Sequence, residues 1–279
     1  MLNLSPQPYL AVMVGNSRLH WAVLGLESDD RPPISPSPDR SPSPPPLTCD
    51  SPPLPEALAI DRWLPYLQAL PFPPLAQIWL RSQLQPPLLR LASVNPPQAA
   101  LFATYPQLNP LQLQDIPLGQ QYAGLGIDRA LALWGAGQGY GWPVLVIDGG
   151  TALTVTGGDR DRNLVGGAIL PGLRLQWLSL SQGTGQLPWV KWSIEAGLPD
   201  RWARSPEGAI ASGVLHSVMA GLRSFIEDWQ QQFGTSAIVI TGGDGELLFQ
   251  LLKQQFPTAS WQNHLYFNPH LVFIGLASC

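Results

Sequence analysis

Two stretches of this chain share one pattern, and that repeat limits the folds open to it. AVMVGNSRLHWA, from Ala11 to Ala22, reads as an apolar strand, a tight turn at Gly15-Asn16 and a strand running back. VLVIDGGTALTVTGGD, from Val144 to Asp159, has the same design, and laying one over the other brings Met13 onto Asp148. A hairpin in each half points to a duplicated fold. The alternation of β and α segments around each copy points to α/β layers.

The remaining segments fit two halves, placed at 1–140 and 141–279. Strands are expected at Leu88–Val94, Leu111–Ile116, Val144–Ile147, Leu153–Thr156, Leu164–Leu170 and Ala237–Ile240, with HLVFIGLA as a final strand. Helical spacing covers Glu56–Leu70, interrupted or ended near Pro65, and Ile127–Ala136, ended by Gly135, Gly137, Gly139 and Gly141. It also covers Gly208–Phe233 and Glu246–Gln255. Arg31–Pro55 holds eleven Pro and five Ser and reads as an extended or disordered insertion.

Composition narrows the function classes. A net charge of −4 with only 12% charged residues offers no basic footprint for nucleic acid. No run of about 18 apolar residues suggests a bilayer span, and MLNLSPQPYLAVMV lacks the basic start of a signal peptide. Cys49 and Cys279 are too few for a disulfide framework or metal site. The expected setting is the cytoplasm, with no nucleic-acid or membrane partner. Low charge together with 11 Trp suggests apolar surface covered by a second subunit.

Three glycine turns follow apolar strands: Gly15-Asn16-Ser17, Gly149-Gly150-Thr151 and Thr241-Gly242-Gly243. Such turns present backbone N–H groups to phosphate oxygens, yet each taken singly also reads as an ordinary hairpin or strand end. Together they suggest a nucleotide cleft between two lobes. None is a P-loop or a dinucleotide fingerprint, and no G-x-S-x-G elbow serves a hydrolase. The four histidines show no metal spacing. Asp128, in GLGIDRA, reads equally as a helix N-cap or as a general base, with Arg129 holding an anion. Asp148, at a strand end beside Gly149, suits a cation site.

These motifs resemble type III pantothenate kinase over nearly the whole chain: VGNSRLHW, ASVNP at 92–96, GLGIDRALALWGA at 124–136, VIDGGTALT at 146–154, LVGGAILPGLRL at 164–175, TGGDGELL at 241–248 and NPHLVFIGL. The resemblance implies the two-lobed, duplicated actin-like fold of acetate and sugar kinases (ribonuclease H-like), with ATP between the lobes. It also implies a homodimer with pantothenate at the subunit interface, and phosphorylation of pantothenate at the first step of coenzyme A synthesis. Asp128 then matches the family's base, with Tyr122, Gly126, Ile127 and Arg129 around the substrate. Met13, Val14, Gly15, Asn16, Ser17, Arg18, Leu19, His20, Thr151, Gly242 and Gly243 would face ATP and its Mg²⁺, and Asp148 would hold K⁺ or NH₄⁺.

Three departures from the family pattern stand out. Met13 replaces the family's first aspartate, and a thioether does not ligate a hard cation. Pro206 falls where the family has a substrate threonine, with Ser205 one position earlier, and Tyr122 lies closer to the Gly-x-Asp-Arg motif than the family's tyrosine. These departures leave a second reading, a kinase-like protein that binds ligand or a regulatory partner without turnover. A sugar or acetate kinase is a third, less specific reading.

Overall fold

The computed structural model describes residues 7–26, 46–192 and 196–279. The chain forms two compact units. The first comprises the described part of Met1–Pro117 with Tyr122–Gly139 and Val272–Cys279, and the second comprises Leu118–Gln121 with Tyr140–Leu271.

The first unit holds β1 (Tyr9–Val14), β2 (Leu19–Leu24), β3 (Leu47–Ser51), β4 (Leu89–Ser93) and β5 (Leu108–Pro110), in the sheet order β3-β2-β1-β4-β5. The second holds β6 (Val144–Gly149), β7 (Ala152–Gly158), β8 (Leu164–Pro171), β9 (Ala237–Thr241) and β10 (Leu265–Phe267), in the order β10-β9-β6-β7-β8. In each sheet the first three strands form an antiparallel meander, and the last two add in parallel on the other side of the first. The duplication read from the hairpins therefore extends to the whole sheet, the topology of the actin-like kinase fold. Met13 and Asp148 are each the last residue but one of the central strand. Val14 pairs with Leu19 and Gly149 with Leu153, so the first turn is one residue longer.

Each sheet buries one face against helices. In the first unit Leu10, Val12, Val14, Leu19, Trp21 and Leu91 join Trp63, Leu67, Leu80 and Phe102 from α1 (Trp63–Ala69), α2 (Pro74–Ser82) and the segment after α3 (Pro96–Ala100). The buried indoles keep their N–H groups paired: Trp21 donates to Ser51 Oγ and Trp63 to Thr104 Oγ1, both at 3.0 Å. In the second unit Leu145, Ile147, Leu153, Val155 and Ile240 pack with α5 (Leu173–Gly183), α6 (Pro206–Phe233) and α7 (Gly245–Gln255). By length and composition α6 qualifies as a membrane span, which the sequence reading had not credited to any segment. More than half of that stretch is buried, and Val214, Val218, Leu222, Ile226 and Trp229 belong to the core.

Several expectations change. Leu47–Ser51, counted within the Pro/Ser insertion, pairs with β2 as a strand, while 31–45 lie outside the described residues. Pro65 sits in the first turn of α1, where a missing N–H costs no helical bond. The expected strand at Leu111–Ile116 is a short 3₁₀ turn, and β5 lies just before it. The helix over Ile127, α4, continues through three of its glycines to Tyr140 because its first three turns are buried, and Gly141 ends it at φ +87°. HLVFIGLA forms a helix, α8 (Leu271–Ala277). A continuous apolar run has no period to separate buried helix from buried strand. Here Gly275 lies so close to the Leu131 carbonyl of α4 that a side chain would clash. Arg90 of β4 donates to the Leu276 carbonyl at 2.7 Å, closing the C-terminus of α8.

Both cysteines are free. Burial, aided by the neighbouring Asp50 charge, pushes the Cys49 thiol up to about 12, and burial pushes Cys279 to about 11. The thiolate is the reactive form. Iodoacetamide at neutral pH is therefore expected to modify both far more slowly than free cysteine, as followed by intact-mass spectrometry.

Candidate active site

Two groups of the expected residues are assembled in the first unit. The turn joining β1 and β2 is closed by Gly15 N–H donating to the Arg18 carbonyl at 3.0 Å, which leaves Asn16 and Ser17 at its exposed tip. Met13 is buried, 4% exposed, and stands directly opposite His20 on β2. His20 in turn stands opposite Asp50 on β3, and its Nδ1 lies 2.8 Å from Asp50 Oδ1. Arg18 reaches the same carboxylate at 3.6 Å. The hydrogen bond from His20 is the main reason the Asp50 carboxyl is held below the ordinary carboxylate range. Asp50 escaped the sequence reading because it lies among prolines and serines that carry no strand signal.

The second group surrounds the start of α4. Asp128 is the second residue of the helix, so the N-cap reading of this residue does not hold. Its Oδ1 accepts the Arg129 N–H at 2.8 Å, and a side chain at Gly126 would meet that same oxygen. Arg129 is 7% exposed and donates from Nη1 to the Tyr122 hydroxyl at 2.9 Å. Tyr122 itself is 46% exposed, so the pair offers an anchored cation beside an accessible phenol. Ile127, the first residue of α4, is buried.

In the second unit the turns after β6 and β9 meet. Gly149 accepts the Asp244 N–H at 2.8 Å, and Gly245 N–H donates to the Gly242 carbonyl at 3.0 Å. Gly242 has φ +89°, and a Cβ there would fall on Asp148 Oδ1 and lie 2.7 Å from the Gly149 carbonyl carbon and oxygen. The Asp148 carboxylate thus packs directly on the Gly242 backbone, with Gly243 exposed beside it. Thr151 is exposed at its turn, and its carbonyl accepts the Gly172 N–H at 3.0 Å at the head of α5. Burial raises the Asp244 carboxyl, a half-buried acid that the sequence reading did not single out although it follows Gly243 directly. Ser205 is the N-cap of α6: its Oγ accepts the Gly208 N–H at 3.1 Å, and Pro206 takes the first helical position. That role accounts for both residues without a ligand, although the Ser205 hydroxyl proton remains available to one.

The donor chemistry suits a metal that arrives with its substrate. Among the described residues no group of three His, Cys, Asp or Glu side chains is placed to hold an ion. Magnesium dehydrates reluctantly and takes much of its coordination from substrate phosphate oxygens and water, so it needs no dedicated cage of side chains.

A family model described as type III pantothenate kinase matches residues 93–228. The type III pantothenate kinase of Synechococcus sp. (strain JA-3-3Ab) is 45% identical over 224 residues, 80% of this chain and 84% of that protein. The enzyme of that name from Nostoc sp. (strain PCC 7120) is 40% identical over 281 residues, 96% of this chain and 92% of that protein. Among solved structures, a conserved Campylobacter jejuni protein assigned to the Baf family of transcriptional activators superposes with a TM-score of 0.57. At 19% identity over 96% of each chain, that likeness speaks for the fold alone. With these relatives covering most of its length, the chain belongs to the type III pantothenate kinase family.

Proposed function

We infer that this protein transfers the γ-phosphoryl group of ATP to the hydroxyl of pantothenate, forming 4′-phosphopantothenate. The observation that carries this reading is the Tyr122–Arg129–Asp128 group at the head of α4. It supplies a cation for the pantothenate carboxylate and a carboxylate for the hydroxyl proton. Asp128 accepts that proton as the oxygen attacks phosphorus in line, and Arg129, held by Tyr122, fixes the acid end of the substrate. In this reading the exposed tip of the Gly15–Arg18 turn serves the ATP phosphates, as do the Thr151 hydroxyl and the Gly242-Gly243 turn of the second unit, so the enzyme contributes mainly position and charge. When bound with ATP, Mg²⁺ would supply neutralisation of the phosphate charge, and Asp148 is the residue that would hold a monovalent cation, K⁺ or NH₄⁺. The reaction takes place in the cytoplasm, where ATP is supplied.

The direct test is ADP release from purified protein with ATP, Mg²⁺ and K⁺, with and without pantothenate. Release that depends on pantothenate supports the reading. Pantothenate binding without release under any cation would favour the non-catalytic alternative, for which the relatives offer no support.

The active form is a homodimer in this reading. β8 ends its sheet with Ile169 65% exposed, and Phe225 of α6 flanks an apolar groove shared with Leu170, Val218 and Leu222. Phe225→Glu places a charge in that groove. It is expected to convert a dimer into a species near the chain mass of 30.3 kDa in light scattering, with the helical circular-dichroism signal retained.

A further inference from the structure

Within the first unit, three side chains form a row across three strands at the phosphate-turn end of the sheet. Met13, His20 and Asp50 are consecutive cross-strand neighbours and therefore share one face. The corresponding place to Met13 in the second sheet carries Asp148. The first sheet thus lacks a carboxylate on its central strand and has one two strands away, with an imidazole between. A Cβ built on Gly15 would lie 3.7 Å from His20 Nε2, so the free edge of the ring faces the turn while the other edge is bound to Asp50.

We propose that Asp50 is a positioning residue for ATP, holding His20 through Nδ1 so that Nε2–H is donated to a phosphate oxygen at the Gly15–Arg18 turn. The proposal rests on the nucleotide role given to this turn above. Neutral imidazole has one N–H, and with that proton on Nδ1 its Nε2 is only an acceptor. Imidazolium donates from both nitrogens, and a carboxylate on one side with a phosphate on the other favours that form. The hydrogen bond from His20 holds the Asp50 carboxyl below the ordinary carboxylate range, so Asp50 is a carboxylate acceptor for the ring. His20 bonds Asp50 from β3, Arg18 from the turn reaches the other oxygen of that carboxylate, and Met13, opposite on β1, is uncharged. A carboxylate at residue 13 would compete for the ring from the opposite side. With methionine there, His20 is left to Asp50.

The test measures binding of a non-hydrolysable ATP analogue with Mg²⁺ to the full chain by calorimetry, from about pH 6 to pH 8. It compares wild type, Asp50→Asn, His20→Gln and the double variant. Each single change is expected to weaken binding about tenfold or more at the acidic end, the value of one charge-assisted hydrogen bond. The double variant should be no weaker than His20→Gln. Wild-type affinity should fall as pH rises across this range, and that slope should vanish in His20→Gln.

Both residues are partly exposed, and thermal melts will show whether the variants fold. A nitrogen-correlated NMR spectrum of the wild-type imidazole complements them. Protons on both ring nitrogens in the nucleotide complex support the proposal, and an unprotonated Nε2 overturns it. Wild-type affinity in either single variant, or independent effects in the double, also overturns it. Because no pantothenate is present, absence of turnover would count against the kinase reading and leave this result standing.

Discussion

Asp128→Asn is expected to lower kcat for pantothenate-dependent ADP formation by roughly 10²–10⁴-fold, the usual contribution of a general base. The substitution isolates proton acceptance. Asparagine Oδ1 accepts the same 2.8 Å bond from the Arg129 N–H, so the head of α4 and the Arg129–Tyr122 contact are preserved. Removing a negative charge from the first helical turn costs only about 0.3–1 kcal/mol of stability. The KM for ATP should therefore change little and the thermal midpoint should drop slightly, while the rate collapses. Steady-state kinetics beside calorimetric titration of pantothenate separates these quantities. A variant that turns over within a few-fold of wild type would remove Asp128 from the role of base and leave the binding assignments untouched.

Gly242→Ala is expected to abolish measurable ATP binding and to destabilise the second unit. Holding alanine at φ +89° costs about 1–3 kcal/mol. The methyl must also displace the Gly149 carbonyl, 2.7 Å from its ideal position, and the Asp148 carboxylate. The Gly149 carbonyl yields little, since it is also bonded to the Asp244 N–H at the start of α7, and the Asp148 carboxylate must turn away from its place on the Gly242 backbone. The strain thus passes into both turns of the proposed cation and phosphate site. Gly243→Ala is the matched control, because a Cβ there meets nothing within 4 Å and needs no unusual φ. Thermal melts and nucleotide titration of the two variants should differ sharply, and equal behaviour would show that the Gly242 approach is not needed.

What was legible in the sequence had short-range causes. The two hairpins, the long amphipathic face of α6 and the apolar β9 carry their periods in adjacent residues, so alternation and helical spacing reveal them. The Asp128–Arg129 pair and the glycine turns were visible for the same reason. β3 was hidden because proline and serine dominate its surroundings, and its strand state is set by pairing with β2. α8 was misread because only its packing on Leu131 distinguishes it from a strand. The N-cap role of Ser205, whose Oγ accepts the Gly208 N–H at the head of the helix that begins at Pro206, is a local cause that counting along the motifs does not display.

The order of its motifs was enough to place this chain in its family, and the repeat was enough to predict a duplicated α/β fold. Both depend on local residue order, which the sequence states directly. Only the tertiary structure decided that a methionine on β1, a histidine on β2 and a carboxylate on β3 form one row. It likewise decided that Asp148 packs on the Gly242 backbone. Such neighbours lie tens of residues apart along the chain, and strand register and backbone approach, properties of the assembled sheets, bring them together.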